Sequence, residues 1–383
     1  MTQSFDVSSL IAQRAHNIDA SGIRKVFDLA AKLKDPINFS IGQPDFDVPD
    51  LIKEKAIEAI RAGKNRYTPT QGIAELIAPV KARVCADTQW PDPGILILSG
   101  TSAGLMLAMF ATLNPGDEVL FLDPYFVMYK HLPTMCGAVP VPVDTYPDFR
   151  LHPERIEAAI TPRTKLLVFS SPCNPTGITF SKAELAAVAD IAKRHNLLVI
   201  SDEIYDAFCY EPHQSIAALL PEQCLLLKGY SKTYGMTGWR LGYAAGPKAI
   251  INEMTKLQQY TFVCAPSMVQ YAALEIALTN HVDMTPFIHA YQQKRDKVVN
   301  GLKDLFEINQ PGGAFYVFPR VPGDGKVSAT EFAQRAIDKN LLFIPGNVFS
   351  GRDTHFRISY ATSDAKLDRG IAVLCELAKQ VAG

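Results

Sequence analysis

Between residues 95 and 245 the chain alternates short apolar runs with segments of helical periodicity. The runs fall at 95–98, 119–122, 166–170, 197–200, 224–227 and 243–245, with helical segments such as 102–113 and 181–195 between them. A strand that is apolar along its whole length is covered on both faces. A parallel neighbour also needs a crossover of about a dozen residues or more, most simply a helix. The pattern predicts an α/β fold with a mostly parallel central sheet between helices. It also says where to look for chemistry, because open sheets of this kind bind ligands outside the carboxyl ends of their strands.

After about residue 280 the pattern changes. A helix is expected at about 284–304, a strand at 315–318, a helix near 328–339, a strand at 356–359 and then a terminal helix. The first 35 residues read as helical, with Ser21 as a cap before 22–33, and 38–41 reads as extended, ending in Gly42-Gln43-Pro44. The expected division is a large domain over 45–285 and a smaller α+β domain built from 1–44 together with 286–383.

Composition excludes several classes. The chain has 383 residues, 48% of them hydrophobic and 20% charged, enough for one large core and a smaller one. Its net charge of −1 comes with no basic run, which argues against a nucleic-acid partner. No apolar stretch approaches the roughly 20 residues of a membrane span. The start, Met1-Thr2-Gln3-Ser4-Phe5-Asp6, lacks the basic-then-apolar order of a signal peptide. The cysteines at 85, 136, 173, 209, 224, 264 and 375 are odd in number and show no metal-ligand spacing. That usage predicts no metal and fits a reducing, cytoplasmic setting.

The segment Ser231-Lys232-Thr233-Tyr234-Gly235-Met236-Thr237-Gly238-Trp239-Arg240 holds one lysine in a Ser/Gly-rich turn and an arginine eight residues later. A lysine held this way can condense with an aldehyde, and an arginine at that distance can hold a phosphate. Pyridoxal 5′-phosphate carries both groups on one ring. Alone, Lys232 reads equally as a solvated lysine; its neighbours change that. Asp202 ends an apolar run, where a carboxylate can pair with a protonated ring nitrogen. Tyr205, three residues on, can bond the ring's phenolic oxygen, or can be plain core. Asn174, in a loop stiffened by Pro172 and Pro175, can donate to the same oxygen and to a substrate carboxylate, although Asn-Pro-x-Gly is also ordinary turn chemistry.

Further candidates follow the same logic. Gly100, Thr101 and Ser102 sit where a strand gives way to a helix, which makes an anion site or simply a capped helix start. Arg240 would add the fixed charge, and Ser231 a further contact. Phe126 can stack on the ring, with Tyr125 as the competing choice. Arg357, in an otherwise apolar strand, can fork onto a substrate carboxylate or belong to a buried ion pair.

The order of these residues is the telling point. Over nearly its whole length the chain resembles the fold-type I, class I/II pyridoxal-phosphate aminotransferases, the aspartate-aminotransferase-like family. The shared motifs are Gly42-Gln43-Pro44-Asp45-Phe46-Asp47, Tyr67-Thr68-Pro69-Thr70-Gln71-Gly72, Asn174-Pro175-Thr176-Gly177, Asp202-Glu203-Ile204-Tyr205, Ser231-Lys232 with Thr237-Gly238-Trp239-Arg240, and Arg357-Ile358-Ser359. The resemblance implies a ping-pong transfer of an amino group from an L-amino acid to a 2-oxo acid, with Lys232 carrying the cofactor as a Schiff base and then acting as the base. It implies a homodimer in which Tyr67 crosses to the partner's cofactor phosphate. It also implies that Gly42 lines the substrate carboxylate on a mobile segment.

Two positions depart from the family pattern. Gly229 stands where some relatives carry a phosphate-binding serine. Phe110 falls about where dicarboxylate-specific relatives carry a lysine, with Arg24 as a substitute cation or an exposed helical arginine. The donor stays open among aspartate, alanine and aromatic amino acids; Phe110 and Ile23 lean towards apolar or aromatic side chains. Two other readings remain. One is a C–S β-lyase or synthase on the same scaffold. The other is a cofactor-binding sensor, disfavoured because the first helix begins too near the start for the DNA-binding domain such sensors append.

Overall fold

The computed structural model describes residues 6–20, 22–279 and 282–382. The first strand, β1 (Ile37–Asn38), precedes the sheet strands β2 (Gly94–Leu98), β3 (Glu118–Asp123), β4 (Val139–Asp144), β5 (Thr164–Ser170), β6 (Leu198–Asp202), β7 (Cys224–Gly229) and β8 (Gly242–Gly246). These seven form one sheet in the order β2-β8-β7-β6-β5-β3-β4. All pairings are parallel except those of β8, which runs antiparallel to both β2 and β7.

Alternation along each strand builds two separate cores. Ile95 and Ile97, Leu120 and Leu122, Leu167 and Phe169, and Cys224 and Leu226 point to one face. Leu96 and Leu98, Val119 and Phe121, Leu166 and Val168, and Leu225 and Leu227 point to the other. Both faces are apolar because helices cover both, which is why the strands read as unbroken apolar runs. Helices Thr101–Thr112 and Lys248–Thr261 contribute to one layer, and Ala74–Thr88, Lys182–His195 and Ser267–Leu278 to the other. The helix expected at 181–195 starts with a reciprocal cap: Ser181 Oγ accepts from the Glu184 N–H at 3.3 Å, and Glu184 Oε2 accepts from the Ser181 N–H at 2.9 Å.

Strand β4 escaped the sequence reading. Its Val-Pro-Val-Pro-Val-Asp sequence looks like a breaker, but β4 is an edge strand pairing only with β3. Pro140 and Pro142, two residues apart, put their missing N–H on the unpaired side.

The C-terminal part adds β9 (Tyr316–Val317), β10 (Leu341–Leu342), β11 (Ile344–Pro345) and β12 (Phe356–Ser359), with helices Thr285–Leu302, Ala329–Asp338 and Asp364–Ala382. β1 pairs in parallel with β10, and β11-β12-β9 form an antiparallel sheet. A third apolar cluster here includes Phe315, Phe332, Phe356 and Leu374. The expected N-terminal helix is broken into a 3-10 turn, Val7–Leu10, and the helices Gln13–His16 and Gly22–Ala30. Asn17 and Asp19 interrupt it, residue types that favour turns over helix interiors. Ser21, expected as its cap, lies outside the described residues. Among the described residues no helix is long and apolar enough to cross a membrane.

Candidate active site

Because β2, β3, β5, β6 and β7 run the same way, their carboxyl ends share one edge of the sheet. A cavity opens there, at the edge where open sheets of this kind bind ligands. It is lined by Thr101 and Ser102 after β2, Phe126 after β3, Asn174 after β5, Asp202 and Tyr205 at the end of β6, and Ser231 and Lys232 after β7. Arg240, just before the reversed strand β8, returns to the same edge. Gly42 and Arg357 close the cavity from the β1 and β12 side, and Ile23 reaches it from the helix Gly22–Ala30.

Lys232 Nζ donates to the Gly42 carbonyl at 2.7 Å. Burial, with the charges of Arg357 and Arg240, lowers its pKa to about 8, against the pull of Asp202. Asp202 is buried; its Oδ2 accepts from the Tyr129 hydroxyl at 2.9 Å and its Oδ1 from the Ile204 N–H at 3.3 Å. Burial raises its pKa to about 6, and these two bonds only partly oppose that. The Tyr205 and Tyr316 hydroxyls lie 2.9 Å apart. Burial, first of all, holds the Tyr205 phenol well above its ordinary range, so it is a proton donor at working pH.

Arg357 is 1% exposed. Nη1 donates to Asn174 Oδ1 and Nη2 to the Ser40 carbonyl, both at 2.9 Å, and its guanidinium lies 4.4 Å from the Tyr316 ring centre. Its Nε has no partner, and no described carboxylate pairs with it. A buried cation in that condition is costly unless something negative arrives.

At the other end, Arg240 Nη2 donates to Ser102 Oγ at 3.3 Å and Nη1 to the Thr237 carbonyl at 3.1 Å. Gly100, with φ +81°, precedes helix Thr101–Thr112 without a side-chain cap. A Cβ there would stand 2.5 Å from Arg240 Nη2, so only glycine admits the guanidinium beside the free helix N–H groups. The result is an anion cradle.

The choice between two aromatics is resolved by packing: Phe126 lines the cavity, while Tyr125 is buried edge-on against Phe121 at 4.9 Å. One expectation fails: Phe110 is 45% exposed and does not line the cavity. Arg24 takes the second of its two readings, an exposed helical arginine, paired with Asp28 at 3.0 Å. Tyr67 is 84% exposed and stands outside the cavity, beside a separate cleft with Ser99, Phe262 and Cys264. At Gly229 a Cβ would meet Ile204 Cδ1 at 2.7 Å, so a serine there would require the end of that side chain to shift. Sequence reasoning missed Tyr129, Tyr316, Ser170 and Thr237. Tyr129 falls three positions after Phe126 at a helix start, a spacing that shares a face and was a usable signal.

The chain matches the family model described as aminotransferase class I and II over residues 34–374. It is 36% identical to a probable aspartate aminotransferase of Methanocaldococcus jannaschii, over 96% of this chain and 100% of that one. It is 35% identical to aromatic-amino-acid aminotransferase 2 of Thermococcus litoralis, over 94% and 96%. The solved structure of aspartate aminotransferase from Thermus thermophilus with maleate superposes with a TM-score of 0.91 at 34% identity, over 96% of this chain and 99% of that one. With this match along nearly its whole length, the chain belongs to the class I and II aminotransferases.

Proposed function

We propose that the cavity holds pyridoxal 5′-phosphate and passes an amino group from an L-amino acid to a 2-oxo acid, 2-oxoglutarate first among them, in ping-pong fashion. The single observation that carries this is Arg357: a buried guanidinium, short of a partner, facing a cavity that also contains a lysine with pKa about 8 and a buried aspartate with pKa about 6.

The residues present fit the group. Thr101, Ser102, the Gly100 cradle and Arg240 suit its phosphate, with Ser231 alongside. Phe126 suits a ring face, Tyr205 and Asn174 its phenolic oxygen, and Asp202 its ring nitrogen. Opposite charge beside Asp202 would draw it back to the ionised form. When bound, the cofactor supplies the electron sink that lets the amino acid's α-proton leave. Lys232 Nζ would hold the group through its aldehyde carbon, and as a free amine beside the substrate's α-carbon it would be placed to take up the α-proton and give it back on the far side of the imine nitrogen. Arg357, with Asn174 and the Gly42 backbone, orients the substrate's α-carboxylate.

We further infer a homodimer. Tyr67 is exposed in the isolated chain alongside Tyr260 at 82%, which suits a residue completing the partner's phosphate site. We assign 45–285 as the large domain and 1–44 with 286–383 as the small one, which puts Lys232 on the first and Gly42 and Arg357 on the second. The seven cysteines are all free, in keeping with the cytoplasm.

The test is absorbance of the purified holoenzyme during addition of aspartate, alanine, aromatic and other L-amino acids without oxo acid. Transamination converts the visible band to a near-ultraviolet one, and the fastest donors identify the class. Ammonia released while the visible band persists would replace this reading with a lyase. Lys232→Ala is expected to abolish both turnover and the visible band.

A further inference from the structure

A second cavity lies between helices Ala74–Thr88 and Ser267–Leu278 and the segment that carries Lys232. It shares no lining residue with the first. Its walls are unlike ordinary packing. Tyr230 and Tyr243 line it at 8% and 6% exposure, and neither hydroxyl has a hydrogen-bond partner among the described residues. Both rings are buried while their hydroxyls stay accessible from the cavity, where water or a ligand can bond them. Tyr234 adds a third ring beside them, its centre 6.2 Å from that of Tyr230.

Arg83 and Asp87 stand one turn apart on the helix Ala74–Thr88, both exposed, so they form the charged mouth of the cavity. They pair neither with each other nor with another described residue, and both line the cavity. Lys228, the other cation, is already engaged by Asp206 at 3.0 Å and Glu203 at 3.6 Å. Among the described residues the site therefore offers a guanidinium and a carboxylate at its mouth and the Tyr230 and Tyr243 hydroxyls deeper in, beside an apolar wall of Val80 and Ile276.

We propose that this cavity is a second small-molecule site, for a zwitterion of the amino-acid class. Arg83 and the Tyr230 and Tyr243 hydroxyls take the carboxylate, and Asp87 takes the ammonium. A simple inorganic anion would leave Asp87 unanswered, and an amine alone would leave Arg83 so. The occupant touches Tyr230 and Thr233, the residues that bracket Ser231 and Lys232, so binding there reaches the lysine from behind. The assignment stands on its own residues and does not depend on the cofactor reading.

The test is equilibrium dialysis of labelled α-methylalanine, α-methylaspartate and α-methylphenylalanine against the holoenzyme. Lacking an α-proton, these probes occupy sites without being turned over. Two molecules bound per chain are expected for at least one probe. Arg83→Gln and, separately, Tyr243→Phe weaken one of the two by ~10-fold or more, with kcat/KM for the donor unchanged at low substrate. Arg357→Leu removes the other, and the Arg83→Gln/Arg357→Leu protein binds none. One molecule per wild-type chain, meaning water only in the second cavity, overturns the proposal. So does a second molecule indifferent to both Arg83→Gln and Tyr243→Phe. Two molecules persisting in Arg357→Leu would instead count against Arg357 as the substrate-carboxylate residue.

Discussion

Asp202 and Glu203 are consecutive residues at one strand end, and both are buried, at 3% and 0% exposure. Strand alternation sends them to opposite sides, and their surroundings differ completely. Glu203 meets His213 at 2.8 Å, Lys228 at 3.6 Å, and the Ser201 and Ser215 hydroxyls at 3.0 and 2.5 Å. Burial alone would raise its pKa, yet these partners hold it below the ordinary value. Burial would lower His213, but its bonds to Cys209 and Glu203 outweigh that and lift it to about 10. Asp202 has one tyrosine and one backbone N–H, and ends at about 6. The desolvation is the same; the company decides. A fully answered carboxylate is scaffold, whereas one left short is available to a ligand.

The sharpest way to break this contrast is to neutralise each residue in turn. Asp202→Asn is expected to lower turnover about 10²–10³-fold. In the cofactor-free protein it should raise stability, by at most about 3 kcal/mol at neutral pH from a shift of roughly two units. Glu203→Gln should do the reverse: a loss of about 3–5 kcal/mol, because Lys228 and His213 lose their counter-charge, with kcat of the folded enzyme within a few-fold of wild type. Equal stability losses in urea melts of the two variants would erase the distinction.

Proton linkage sharpens it further. The folded state of Asp202 binds its proton more tightly than the unfolded state, so its cost is absent below the ordinary 3.8, grows with pH and is complete above about 6. The stability gap between Asp202→Asn and the cofactor-free wild type should open across that window and stay flat above it. Lys232 behaves oppositely, its cost being full below about 8 and relieved as pH rises towards 10.5. The gap between Lys232→Met and wild type should therefore close over that range. The smallest effect is expected for Tyr129→Phe, a loss of about 1 kcal/mol that also moves the Asp202 window to higher pH.

How far the sequence carried these points varied with the residue. The strands around Leu120, Leu167 and Leu226 were legible because both sheet faces are dry, and Asp202, Asn174 and Lys232 because each follows such a strand. Strand β4 was hidden by prolines that an edge tolerates. Tyr316 was hidden because an aromatic in an apolar element looks the same whether it fills a core or lines a site, and Tyr129 was marked only by its spacing from Phe126. Phe110 was misplaced because its neighbourhood depends on which way a helix faces, which spacing alone did not settle. Glu203 beside Asp202 carried no signal of its own, and only the fold separates their roles.

The reversed strand β8 has one more effect. Since β7 and β8 pair antiparallel, with Gly229 opposite Gly242, the intervening stretch leaves and re-enters the sheet at one rim. It therefore works as a caliper, with Lys232 near one jaw and Arg240 at the other. The gap between the jaws is set by that stretch and its anchored ends, not by the remote crossovers. Residues added within 230–241 would open the jaws, whereas residues added between helices elsewhere would leave the gauge as it is.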